Sequence, residues 1–245
     1  MNTLDYKIKS NGINHVLENI NREFQKLNIN IHKFNYSNII LIIIAAIIAS
    51  IGLLTNNSQS LIASKIIGLA LVPFISFCIM LFSFDSNKIL SSGGNCLIFF
   101  ILCLLIGLII GYLNAKYNII TETHEPDITL EMLARCYTKT KKFYLEFAIT
   151  FIAGIGIYYA VIKNSIVAFI GLLLVISMVP PLCNAGLCYG KYLYFYDMNN
   201  DMNNDMNNDT KYLNYAENSI KLFLINIIGV LMGFSCALLF NALYL

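Results

Sequence analysis

The chain has 245 residues, 58% of them hydrophobic and only 12% charged, with a mean hydropathy of +0.67 and a net charge of +2. Soluble globular chains carry roughly a quarter charged residues, so this composition excludes a water-soluble fold and gives no global field for nucleic acid. The apolar runs reach the roughly 20 residues that cross hydrocarbon and do not alternate, which excludes a β-barrel in favour of an all-α, polytopic helical membrane bundle.

Residues 1–36 form a polar tail with Lys7, Lys9, Arg22, Lys26 and Lys33. Within it Ile13, Val16, Leu17, Ile20, Phe24, Leu27 and Ile31 fall three or four apart, the pattern of an amphipathic helix. Its basic residues suit an anionic lipid surface and favour a cytoplasmic N-terminus. The first apolar run begins near Ile39, too late for a secretory signal.

Six spans are expected: Ser37–Leu54, Leu61–Phe84 interrupted at Pro73, Cys96–Leu113, Tyr144–Ile162, Ile166–Gly190 interrupted at Pro180-Pro181, and Glu217–Ala242. They group as a first three-helix repeat (37–113), a polar connection (114–143) and a second three-helix repeat (144–245). In the connection, Glu131 and Arg135 stand four apart and pair on one helical face. Residues 197–209 repeat Asp-Met-Asn-Asn and read as a disordered loop. Basic residues of the 114–143 connection (Lys116, Arg135, Lys139, Lys141 and Lys142) oppose the orientation that the tail suggests.

The repeat rests on short motifs in matching order. Asn57-Ser58 and Val72-Pro73 in the first half answer to Asn164-Ser165 and Val179-Pro180 in the second, each displaced by 107 residues. Three spans per half would invert the second copy, a plan common in transporters, with the site at mid-depth between proline-broken helices. Proline removes an N–H donor, and the freed carbonyls must be satisfied by protein, water or ligand. Pro73, Pro180 and Pro181 with Asn184 and Asn226 are therefore the candidate substrate-binding residues, and Lys65 is a weaker one. Lys65 has a competing reading, preferred here, in which it snorkels to the interface. Asn226 reads first as interhelical glue.

Gly107-x-x-x-Gly111 and Gly229-x-x-x-Gly233 allow close helix approach, and packing of the third span on the sixth is the simplest use of them; a homo-oligomer is compatible but not required. The seven cysteines form no CxxC and the three histidines no ligand spacing, so neither metal nor cofactor is expected. Frequent asparagine and isoleucine suggest an AT-rich genome; with a viral source the membrane would be the host cell's.

The run Val179-Pro180-Pro181-Leu182-Cys183-Asn184-Ala185-Gly186-Leu187 resembles the most distinctive stretch of the DUF389 family, a domain of unknown function. Gly52-Leu53-Leu54, Asn57-Ser58, Val72-Pro73, Glu131-Met132-Leu133-Ala134-Arg135 and Asn226 follow that family's order across residues 45–242. The chain departs in Val72-Pro73-Phe74, where many members have Ser-Pro-Leu, and in the Asp-Met-Asn-Asn insertion. The resemblance implies six spans and no activity. The functional expectation is a transporter- or channel-like protein for a small solute or ion, embedded in the lipid bilayer. The alternative is a structural or membrane-organising protein. No Ser/His/Asp, metal or phosphate-loop spacing points to an enzyme.

Overall fold

The computed structural model describes residues 36–67, 73–77, 79, 86–117, 128–136, 140–176, 178–202 and 209–244, together with Glu18. The amphipathic tail, apart from Glu18, lies outside them. The helices are α1 (Tyr36–Leu54), α2 (Ser58–Ile67), α3 (Ser86–Tyr117), α4 (Leu130–Ala134), α5 (Thr140–Ile162), α6 (Ile166–Val175), α7 (Val179–Met202) and α8 (Asp209–Tyr244). Residues 73–77 are also helical.

Five helical segments among the described residues are long and apolar enough to cross a membrane: Tyr36–Leu54, Ile89–Tyr117, Phe143–Ile162, Ile166–Asp197 and Thr210–Asn241. The expected second span, Leu61–Phe84, is not one of them. Its described part is α2 and the piece 73–77, each too short to count alone. The outer surface is as informative as the lengths. On α3 the exposed row is Leu97, Ile101, Leu105, Ile109 and Leu113, one every fourth residue. On α1 the isoleucines 40, 44, 47 and 51 face outward while Ala45, Ala46, Ala49 and Leu53 face in. Large apolar side chains outside and small ones at the contacts are what a lipid solvent selects. The chain is an integral, multi-pass membrane protein.

Two helix corners are built alike. After α1, Asn56 takes φ 54°, and after α5, Asn164 takes φ 51°, a left-handed conformation that asparagine tolerates. In the first corner Asn57 N–H donates to Gly52 O at 2.8 Å; in the second Ser165 N–H donates to Ala160 O at 2.9 Å. Asn57 Oδ1 then accepts from Gln59 N and Ser60 N at the start of α2, and Ser165 Oγ accepts from Ala168 N at the start of α6. Each cap opens a helix of 10 residues. All these equivalences are 108 residues apart, not the 107 read from the motifs. The turn needs a left-handed asparagine followed by a capping side chain, so the corner at Asn56-Asn57 corresponds to the one at Asn164-Ser165.

The corners lie at opposite ends of the bundle. Thr129 Oγ1 donates to Leu53 O, and Glu131 N–H donates to Asn56 Oδ1 at 3.0 Å, so α4 sits on the first corner. That is the end where α5 begins. The second corner is where α5 finishes, 23 residues on, or about 35 Å.

Glycine sets the closest helix contacts. Gly107 and Gly111 of α3 lie against the backbone of Cys183 and Leu187, and Gly186 and Gly190 of α7 lie against Leu104 and Leu108. The matched order makes α3 and α7 parallel. Likewise Gly229 and Gly233 of α8 meet Thr150 and Phe151 of α5, which receives Val230 at Gly154. The two glycine motifs therefore do not pack on each other, as the sequence suggests; α7 lies between α3 and α8 and touches both. Beyond the apolar region α7 and α8 continue as an antiparallel stem, with Phe195 stacked on Tyr212 at 5.5 Å. Helix α7 runs to Met202, well into the Asp-Met-Asn-Asn tract where a disordered loop from 197 is expected; residues 203–208 lie outside the described ones.

A Cβ at Gly107 would stand 2.5 Å from Cys183 O, a contact that only backbone movement relieves, whereas Gly94 has open space. Gly107→Val should destabilise the protein by about 1–3 kcal/mol, seen as a lower melting temperature by circular dichroism in detergent. Gly94→Ala should leave it unchanged.

Candidate functional site

Residues 176–178 separate α6 from α7. Ile176 N–H still reaches Leu172 O at 3.3 Å, and its extended backbone ends the helix there. Pro180 and Pro181 follow, both buried, in the first turn of α7. At that position the missing N–H groups would have had no helical partner anyway. The prolines thus start α7, and the gap they leave falls just before them rather than at them.

Facing the gap is Lys65, in the last described turn of α2. Its Nζ donates to Leu174 O in the last turn of α6 at 3.0 Å. The side chain thus reaches across to a main-chain carbonyl of the second half. The exposed carbonyls at a helix C-terminus carry partial negative charge, and an ammonium there is favourable. Pro73 is buried beside Phe74, whose ring meets Phe99 of α3 and Phe223 of α8 edge-on at 5.6 and 6.0 Å. Ser76 and Ser92 share a buried hydrogen bond of 2.8 Å, which fixes the same piece to α3.

Every residue from Met178 to Cys188 is buried. Asn184 lies at the centre of that run. Its Nδ2 group is 3.1 Å from Met132 O, 3.0 Å from Cys136 Sγ and 2.9 Å from Ser219 Oγ. Two hydrogens thus serve three acceptors: one in α4, one on Cys136 two residues past its end, and one in α8. Its Oδ1 is buried without a partner. Asn184 therefore holds the C-terminal end of α4, whose N-terminal end is capped by Thr129 and tied to the first corner. Arg135 and Glu131 pair across one turn of this element at 3.2 Å, as their spacing predicts. Asn226 is buried on α8, two turns beyond Ser219. Among the described residues no group of three His, Cys, Asp or Glu side chains could hold a metal.

The sequence pointed to Asn184 but not to Met132, Cys136 or Ser219. Its partner at Met132 is a main-chain carbonyl, which no residue type announces. Ser219 could have been suspected as a small polar residue one turn into the last apolar run. A cavity of about 660 Å³ lies elsewhere, between α3, α7 and α8, under Leu104, Leu108, Gly186, Tyr189 and Glu217. It contains none of the candidate residues.

Comparison with protein-family profiles matches residues 66–232 to a domain of unknown function, DUF389. The chain belongs to the DUF389 family. No curated protein and no solved structure matches it. The DUF389 match takes in Pro73, α4, Pro180, Pro181, Asn184, Ser219 and Asn226, and begins one residue after Lys65. The Glu131–Arg135 element and the Val179–Leu187 run, which resemble the family most closely, are the two that Asn184 joins.

Replacing Asn184 by leucine would remove the donor that joins Met132 O, Cys136 Sγ and Ser219 Oγ in a buried site, leaving only their bonds to Arg135 N, Tyr215 O and one another. Asn184→Leu should cost about 1–3 kcal/mol of stability. A double-mutant cycle with Ser219→Ala in detergent should give a clear coupling between the two positions.

Proposed function

We propose that this protein carries a small solute or ion across the bilayer, through the region where α2 and α6 meet. The observation that carries the reading is the contact of α6, a capped helix that ends after about 15 Å or half of the hydrocarbon core, with α2 of the first half. They start from equivalent corners at opposite ends of the bundle and are joined by the Lys65–Leu174 hydrogen bond. This arrangement supports an inverted repeat. Half-helices ending at mid-depth leave backbone carbonyls free to serve a cargo. The unpartnered Oδ1 of Asn184 is a further buried acceptor. Pro73, Pro180 and Pro181 would open the backbone, while Asn184, Asn226 and Lys65 would supply side-chain contacts.

A structural, membrane-organising role is favoured by a different observation. The start of α7 is fully packed, and the cavity beside Leu104 and Gly186 is almost wholly apolar. In that role Asn184 acts only as a clasp on α4.

Accessibility tags in the 55–58 and 163–166 turns should label from opposite faces of the membrane; labelling from one face would remove the inverted repeat. In liposomes the wild-type protein should give solute- or ion-dependent flux that Asn184→Leu abolishes. A broad screen without flux, from protein that is folded and oriented, would leave the structural role.

A further inference from the structure

A pair of thiols lies beside the clasp made by Asn184. Cys136 follows α4, and its sulfur is met by the elements that Asn184 gathers. Its S–H donates to Met132 O at 3.1 Å, Asn184 Nδ2 donates to the sulfur at 3.0 Å, and Ser219 Oγ lies 3.4 Å away. Cys188 stands one turn beyond Asn184 on the same face of α7. Its thiol is within hydrogen-bonding reach of Cys136 Sγ. Both cysteines are free, Cys136 at 5% exposure and Cys188 at 0%. Cys136 is thus the first to meet a small solute arriving from the polar connection, and Cys188 lies behind it. Lys191, buried three residues further along α7, places its ammonium near Cys188. Donors on a sulfur and a nearby cation favour the thiolate, which is the form that reacts. Cys188, against the opposing effect of burial and together with Ser219 and Asn184, holds the Cys136 thiol below its ordinary range. A second thiol contact, between Cys103 and Cys183, is deeper between α3 and α7, and Cys183 S–H donates to Ala46 O at 3.7 Å.

We propose that Cys136 and Cys188 are a dithiol modification site, oxidised by hydrogen peroxide to a disulfide that locks α4 to α7. The Cys136 thiolate attacks one oxygen of the peroxide. An S–O bond forms, the O–O bond breaks, and the departing hydroxide takes up a proton to become water. The Cys188 sulfur then attacks Cys136 Sγ. The S–S bond forms, the S–O bond breaks, and a second water leaves with the Cys188 proton. The two thiols give up two electrons and two protons, and the peroxide becomes two waters. The cross-link replaces a hydrogen-bonded clasp by a covalent one. Because α4 rests on the first corner through Thr129 and Asn56, the disulfide ties that corner to α7 as well. The chemistry is the same in a transporter and in a membrane-organising protein, so it does not rest on the transport reading.

Full-length protein in detergent, fully reduced and then exposed to hydrogen peroxide, tests this. The remaining thiols are blocked with N-ethylmaleimide in sodium dodecyl sulfate, and the peptides are read by mass spectrometry without reduction. A peptide pair joined through Cys136 and Cys188 should dominate and should disappear on treatment with dithiothreitol, while Cys103 and Cys183 stay reduced. The oxidised protein should melt about 5 °C higher by circular dichroism. Cys188→Ala should arrest the reaction at the Cys136 sulfenic acid, trapped by dimedone in several-fold greater yield than in the wild type. Cys136→Ala should leave Cys188 unmodified. If either variant does not fold, the wild-type cross-link decides. Folded wild-type protein in which Cys136 and Cys188 are both still alkylated after peroxide would overturn the proposal. A disulfide between Cys103 and Cys183 formed in preference would overturn it too.

Discussion

The structure depends on bringing the backbone of α7 against that of α3. Gly107, Gly111, Gly186 and Gly190 remove the side chains that would hold the two helices apart. Helix pairs in lipid gain little from the hydrophobic effect, so close van der Waals contact is the main attraction left to them. Once α7 is seated, its first three turns are surrounded on all sides, and α8 can pack along its other flank. The position of the α6–α7 gap follows, since α6 ends at Val175 and the seated α7 begins at Val179. So does the position of Asn184, which reaches α4 and α8 only from a fixed α7.

Two polar devices work within this apolar frame. At the outer end, Asn184 gathers α4 and α8 by its Nδ2 group, and α4 in turn rests on the first corner through Thr129 and Asn56. In the interior, Lys65 closes the junction of the half-helices. Both use a side chain to satisfy main-chain carbonyls that helix ends leave open. The hydrocarbon surroundings explain the economy: each open carbonyl there costs several kcal/mol, so it must have a donor.

Much of this was legible in the residues. Apolar run length marked five of the six expected spans, since composition alone decides whether a segment can cross lipid. The second span was harder because its described pieces are short. The Glu131–Arg135 pair followed from helical spacing. The Asn-Ser and Val-Pro motifs pointed to a repeat displaced by 107 residues, while the two positive-φ asparagines, Asn56 and Asn164, stand 108 apart, a likeness of turn that the letters alone do not carry. The partner of Lys65 could not be read from the sequence, for a physical reason. Its distance from Thr55 along the chain suggests the interface, while its actual partner, Leu174 O, is a main-chain atom brought in from the second half. The glycine motifs gave close approach but not the choice of neighbour, which depends on which helix lies between.

The stem formed by α7 and α8 stands beyond the Phe195–Tyr212 stack, away from every contact that fixes the bundle. The Asp-Met-Asn-Asn tract begins within α7 at Asp197, and the helix is described as far as Met202. A four-residue unit is close to one helical turn, so each added or lost copy turns the helix by only about 40°. Copy-number slippage in the coding repeat would therefore lengthen or shorten a projecting arm without disturbing the part of the chain inside the membrane. Length at this point is free to drift among closely related sequences while the bundle beneath stays the same.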